Sequence, residues 1–142
     1  MVQSCFYGTY DFLIDGKGRL SIPAEFRKRL AEEGQSLVYL RPVDGCIQVI
    51  PATQAAAIAA AEFPTITPFD KEQRAKMRRW GATLQARSID SEGRIVVPQH
   101  LIEYAGLKER VKLVGTVSYF EIWAHEKWQD AEESAGGTIV AQ

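Results

Sequence analysis

A ten-residue block occurs twice in this chain, and no other feature narrows the possible folds as far. Residues 14–23 read IDGKGRLSIP and residues 89–98 read IDSEGRIVVP. Asp15 and Asp90, Arg19 and Arg94, and Pro23 and Pro98 are each 75 positions apart, so the 142-residue chain uses one plan twice. In both copies the proline leads into a helical stretch, PAEFRKRLAEEG or PQHLIEYAGL, with proline at the start and glycine near the end. Two strand-like runs follow each helix, 37–40 and 46–50 in the first copy, 111–114 and 120–123 in the second. Turn residues RPVDG and GTVSY separate them. Alternating residues on either side of Asp-Gly or Glu-Gly make each repeated block a β-hairpin tip. The order strand, turn, strand, short helix, strand, turn, strand predicts a mostly β protein with short helices, of the α+β class. One half alone would bury too little apolar surface to fold, so the halves are expected to close one shared barrel.

The expected organisation is a first repeat over 7–52, a helical inter-repeat segment over 53–83, a second repeat over 84–128 and a C-terminal tail over 129–142. The middle segment begins with QAAAIAAAEF at 54–63, is interrupted by Pro64 and Pro68, and continues with FDKEQRAKMRRWGAT at 69–83. Asp70 is placed to cap this second helix and Gly81 lies near its end. Lys71, Arg74, Lys76, Arg78 and Arg79 stand against the single acid Glu72. We read this basic helix as one that pairs with acidic neighbours, in preference to a second DNA surface, while Met77, Trp80 and Leu84 supply a packing face. The Ala-rich helix suits close packing on a neighbour or simple exposure. A short helix around 126–133 precedes GGTIVAQ, which is expected to fray. Tyr119, Phe120, Trp123 and Trp128 fit a core or a subunit interface better than a base-stacking platform.

Composition limits the function. A net charge of −1 argues against indiscriminate coating of nucleic acid, though not against local basic patches. No apolar run approaches the roughly 18 residues of a membrane span, and Cys5 and Cys46 form neither a CxxC pair nor a disulfide framework. A reducing cytoplasm is therefore expected, with no metal and no other cofactor. His100 and His125 sit in unrelated contexts, and no nucleophile elbow or phosphate loop is present. Asp15 and Asp90 could form an acid–base couple, but each has an arginine four positions on, which makes pairing across the turn the simpler expectation. An arginine just after a glycine turn projects a five-donor fork suited to phosphate or guanine edges. A single copy would read as turn bracing, whereas retention of the arginine in both copies points to a use for it. Lys17 adds a cation at the first tip, where the second has Glu92.

The two blocks resemble the signature of AbrB-like swapped-hairpin transcription factors. Their tandem arrangement, with a basic inter-repeat helix, EYAGL, and then VKLVG and FEIW, is similar to the MraZ family over about 7–128. The resemblance implies two tandem swapped-hairpin halves forming a pseudo-dimeric, double-psi-like barrel. It also implies a bacterial transcriptional regulator, cytoplasmic and nucleoid-associated, that binds short direct repeats in double-stranded DNA upstream of the division and cell-wall gene cluster, its own operon. Its chains would form a closed ring. Carried onto this sequence, Arg19 and Arg94 face DNA, while Asp15, Gly18, Asp90 and Gly93 brace the turns. Lys17 adds a phosphate contact, as do Arg27 and Lys28 on the helix after the first block and Arg87 ahead of the second. Glu92, Ile102 and Glu103 depart from the basic pattern in the second half, and Phe12 replaces the basic residue in the first. These departures imply that the first repeat carries more of the DNA affinity and the second more of the assembly. The rival expectation is a non-enzymatic assembly or antitoxin-like protein in which the Asp–Arg turns are purely structural.

Overall fold

The computed structural model describes residues 5–34, 36–63 and 70–134. The Pro64 and Pro68 interruption, Phe69 and the tail from Gly136 lie outside them. Along the described chain run β1 (Thr9–Leu13), β2 (Arg19–Ser21), α1 (Ala24–Glu32), β3 (Leu37–Val43) and β4 (Cys46–Pro51). A 3₁₀ turn then leads into α2 (Ala55–Glu62) and α3 (Lys71–Thr83). The second copy gives β5 (Gln85–Ser88), β6 (Arg94–Val96), α4 (Gln99–Ala105), β7 (Arg110–Gly115), β8 (Phe120–Ala124) and finally α5 (His125–Ser134). This is the mostly β, short-helix class read from the sequence.

Local chemistry explains the helix boundaries. Pro23 and Pro98 stand just before α1 and α4, where a fixed φ suits the first turn and no N–H is required. Gly106 ends α4 in the left-handed conformation, φ 65°. The Asp70 carboxylate accepts hydrogen bonds from the backbone N–H groups of Glu72 and Gln73 at the start of α3. The β3–β4 turn contracts to Asp44-Gly45, both at positive φ as a type I′ turn requires. Pro42 lies within β3 beyond the stretch that β5 covers, so its missing N–H costs no ladder bond there.

Pairing departs from the local-hairpin reading. Each block does form a tight turn, with Asp15 N–H donating to Arg19 O and Asp90 N–H to Arg94 O. The strands around it, however, pair with the other repeat: β1 with β7, β5 with β3, and β2 with β6, all antiparallel. The main sheet has the order β1-β7-β8-β4-β3-β5, which reads the same backwards once each strand is exchanged for its repeat equivalent. The β2–β6 ribbon joins the two ends of this sheet through the turns, with a single bridge from Ile14 to Leu20. A pseudo-twofold axis passes through the facing pairs Leu20–Ile95 and Gln48–Glu121. The latter two are separated by 73 rather than 75 positions because α1 has nine residues and α4 seven.

The core lies between the sheet, the ribbon and the two repeat helices. Leu20 and Ile95 enter it from the ribbon, Phe26 and Leu30 from α1, Leu101 and Ala105 from α4. From the sheet come Val38, Leu40, Ile47, Val49, Leu113, Phe120 and Ile122. Gln48 is the buried polar residue at the dyad, and the Arg41 guanidinium donates to its Oε1 at 3.0 Å. Cys46 and Cys5 are both free, and burial pushes the Cys46 thiol pKa up. Phe120 is fully buried, whereas Trp123 and Trp128 form a half-buried pair, centroids 5.8 Å apart. Among the described residues no helix is long and apolar enough to cross a membrane.

The amino-terminal segment crosses the end of β7 at close range. Phe6 and Val117 exchange backbone hydrogen bonds of 2.9 Å, and Gly115 N–H donates to Gly8 O at 2.8 Å. A Cβ on Gly115 would fall 2.5 Å from the Phe6 carbonyl carbon. Gly115→Ala is therefore expected to displace Phe6 from the core and cost about 1–3 kcal/mol, read as a lower urea midpoint with faster proteolysis before Thr9.

Candidate nucleic-acid interface

The β2–β6 ribbon has two chemically distinct faces. Because strand residues alternate, Leu20 and Ile95 point inward while Arg19, Ser21, Arg94 and Val96 share the outer face. In the register Arg19 faces Val96 and Ser21 faces Arg94. The swap thus brings one arginine from each repeat onto a single short ribbon. Both line one open cleft of about 440 Å³ together with Asp15, Ser21 and Glu109.

Each arginine is held by the aspartate of its own turn. Asp15 Oδ1 accepts the backbone N–H groups of Lys17 and Arg19, and Oδ2 accepts Arg19 Nε at 2.6 Å. Asp90 repeats this with Glu92 N–H, Arg94 N–H and Arg94 Nε, the last at 3.1 Å. Among the described residues Arg19 Nη1 and Nη2 make no hydrogen bond, the Asp15 carboxylate being taken up at Nε. Arg94 differs, since its Nη2 lies 3.5 Å from Glu92 Oε2. The fork is preset at Nε in both copies, and at Arg19 its two terminal nitrogens remain for a ligand.

Hydrogen bonds from the Arg19 backbone and guanidinium hold the Asp15 pKa down to about 2, and Asp90 is lowered by the same kind of contacts with Arg94. Since the folded value of Asp15 lies below the ordinary unfolded one near 3.9, the stability it contributes is fully present above about pH 4. It is lost as pH falls through about 2. Near pH 3, unfolding should take up roughly one proton at this site. Asp15→Asn is expected to flatten the fall of the urea midpoint between about pH 4 and pH 2, whereas equal slopes in both proteins would contradict the bracing role.

The two tip glycines serve the swap. Gly18 (φ 82°) and Gly93 (φ 77°) occupy the left-handed region. Their carbonyls accept the N–H of Val97 and Ile22, each from the opposite repeat. A Cβ on Gly18 would lie 2.6 Å from Val97 O.

The structure redistributes the remaining cations. Arg27 belongs to the first repeat, yet its side chain packs over Gly93 of the second tip, where a Cβ would meet Arg27 Cδ at 2.6 Å. Its Nε donates to Ile22 O. At the equivalent place over Gly18 stands Ile102 of α4. The first tip therefore carries Lys17 and the second Arg27, a more even division than sequence order implies. Lys28 is exposed on α1. Arg87 donates Nε to Val96 O and Nη1 to Ala86 O, so its guanidinium ties β5 to the end of β6. Ser21 and Val96 were not singled out from sequence, although the alternation about Leu20 and Ile95 places them beside the arginines. Val96 is 47% exposed, high for an aliphatic strand residue.

The basic helix is α3 (Lys71–Thr83). Among the described residues no carboxylate lies within 4.0 Å of Lys71, Lys76, Arg78 or Arg79. The helix docks through buried Trp80, which meets Phe63 edge-on at 6.5 Å and lies under the Arg41 guanidinium. Nor do Asp15 and Asp90 form a couple, since each pairs with its own arginine. Among the described residues no cluster of three or more His, Cys, Asp or Glu side chains is arranged to hold a metal ion.

The family model described as "MraZ protein, putative antitoxin-like" matches residues 5–78 and 82–136. A protein named transcriptional regulator MraZ from Lactiplantibacillus plantarum is 38% identical over 127 residues, covering 89% of this chain and 87% of the relative. Its namesakes in Thermomicrobium roseum and Acetivibrio thermocellus are 35% and 33% identical, each covering 96% of this chain and 95% and 94% of their own. The duplicated block, the exchanged strands and matches that span both repeats lead to one conclusion: the chain belongs to the MraZ family.

Proposed function

We propose that this protein is a sequence-specific DNA-binding transcriptional regulator that reads duplex DNA with the outer face of the β2–β6 ribbon. One observation carries the reading: an arginine from each repeat stands on that face, held at Nε by its own aspartate. A two-stranded ribbon is narrow enough for the major groove, and an arginine fork suits guanine O6 and N7 or a phosphate. Between the arginines, Ser21 can donate or accept and the Val96 methyls suit a thymine methyl. Lys17, Arg27 and Lys28 supply phosphate contacts, and Arg87 supports the ribbon from β5. The reading assigns no catalytic step and no cofactor.

The finer reading follows from charge. Asp15, Asp90, Glu92 and Glu109 offset four of the six cations Lys17, Arg19, Arg27, Lys28, Arg87 and Arg94, so one chain should bind DNA weakly, in the range of about 10⁻⁴ to 10⁻⁶ M that a few phosphate contacts give. Identical ribbons at a fixed spacing on direct repeats raise avidity by about 10² to 10⁴. Head-to-tail contacts that close produce a ring, and translation-related boxes match such neighbours better than a palindrome does. We infer a closed ring of identical chains, acting in the cytoplasm on the nucleoid. Its operator is a set of short direct repeats upstream of the division and cell-wall gene cluster that contains its own gene.

Fluorescence anisotropy tests this with duplex from upstream of the protein's own gene against a scrambled duplex, between about 50 and 200 mM salt. The native duplex should bind preferentially, with log K falling linearly in log salt by about 0.9 per phosphate neutralised. Equal binding to both duplexes, or to neither, would hand the Asp–Arg turns to the assembly or antitoxin-like reading, in which they only brace.

A further inference from the structure

The sheet face turned away from the ribbon carries two helices of opposite charge. On β3 and β8 the core residues alternate with Arg41 and Trp123, which therefore point to that other face. Arg41 lies 5.4 Å from the Trp80 ring of α3, and the Trp123 and Trp128 rings are 5.8 Å apart, so α3 and α5 both pack there. They flank the dyad, α3 over β3 and α5 over β7 and β8. Opposite buried Trp80, Lys71 and Arg78 stand seven positions apart on the outer face of α3, with Arg79 beside them. Opposite Trp128, Glu126, Asp130 and Glu133 form an i, i+4, i+7 stripe along α5. Among the described residues none of these cations has a carboxylate within 4.0 Å, and none of these acids has a cation. Lys127 is turned aside, its Nζ 3.1 Å from where a Cβ on Gly106 would lie. Glu126 and Asp130 repel at i, i+4, and Glu133 stands at the negative end of the helix dipole, so the stripe works against α5 unless positive charge covers it. On the basic side, α2 runs into Phe63, which meets Trp80, yet α2 buries none of its own residues.

We propose that the α2–α3 side of one chain seats on α5 of a second copy, with Lys71, Arg78 and Arg79 against Glu126, Asp130 and Glu133. This contact rests on the assembly of identical chains inferred above and names the surfaces that make it. A second copy fits α3 better than DNA does, because a duplex on the ribbon lies across the sheet from α3 and the complementary stripe belongs to the same chain. The signs also give the contact a direction. Setting α3 on α3, or α5 on α5, opposes like charges, so neighbours meet through unlike surfaces, as a head-to-tail ring requires. Every ribbon stays clear of the contact.

Multi-angle light scattering of the intact protein at micromolar concentration tests the contact with two charge reversals, Arg78→Glu/Arg79→Glu and Asp130→Lys/Glu133→Lys. All four side chains are exposed, and unchanged far-ultraviolet circular dichroism checks that each variant remains folded. Alone, each reversal sets like charge against like and should lower the mass from that of the wild-type oligomer toward that of one chain. Mixed one to one, the variants offer an acidic α3 to a basic α5 and a basic α3 to an acidic α5, and the wild-type mass should return. Should a reversal unfold, Arg78→Ala/Arg79→Ala decides in its place. It introduces no repulsion and should dissociate at a higher protein concentration than wild type, and dissociation at the wild-type concentration would overturn the contact. An unchanged mass in either reversal alone, or a mixture no heavier than its parts, would overturn it too, while the wild-type oligomer leaves the ring reading standing. A wild type that is itself a single chain would overturn both.

Discussion

Replacing Arg19 and Arg94 together by alanine is expected to abolish selective DNA binding while leaving the protein folded. Each lost fork removes about 1–3 kcal/mol of discrimination, or roughly five- to 150-fold in affinity for the preferred duplex. Arg19→Ala should be the larger single loss, because Arg94 already shares its Nη2 with Glu92. The cost in stability is small. Both Asp–Arg pairs are substantially exposed, where solvent screens the charges and such pairs add little to stability. Arg19→Lys keeps the charge but loses the planar fork, so selectivity should fall further than non-specific affinity. Lys17→Ala, by contrast, should weaken all sequences alike and reduce the salt slope by about one contact. Wild-type selectivity in the double variant, measured by anisotropy on native and scrambled duplex, would remove the ribbon from the reading.

Phe26→Ala should produce the largest loss of stability, about 3–5 kcal/mol. Phe26 is 1% exposed and stands at the centre of an aromatic cluster. Its ring lies 5.3 Å from Phe6, 5.1 Å from Tyr10 and 4.7 Å from Phe120. These contacts join α1 of the first repeat to β8 of the second, and a domain of this kind holds only about 5–15 kcal/mol in total. Urea unfolding should show a lower midpoint in one transition, with both halves lost together. A loss under about 1 kcal/mol, or a first repeat that melts alone, would show that the swap does not couple them.

The short-range features of this fold are plainly written in the chain. Asp70 caps α3, Pro23 and Pro98 precede their helices, and the Asp44-Gly45 turn joins two strands read from apolar runs on either side of turn residues. Pairing partners are a different matter. Alternation around Asp15 and Asp90 specifies strands and a turn, yet a strand carries no label for the edge it will join. That choice follows from burying Leu20 against Ile95 across the dyad, a long-range effect. Only the family resemblance pointed to exchanged strands. The same cause misplaced Arg27, which sequence order groups with the first tip and the swap carries to Gly93. It also hid the outward register that sets Ser21 and Val96 beside the arginines. The cations of the basic helix are different again, because charge in a sequence does not say whether a partner lies within the same chain.

The central claim is that segments from both repeats form one DNA-reading surface. Hydrogen–deuterium exchange of the intact protein with and without its upstream duplex tests it directly. The account predicts slowed exchange over residues 17–21 and 92–96 together, with 71–79 unchanged. Protection confined to 71–79, or to one of the two ribbon segments, would contradict it.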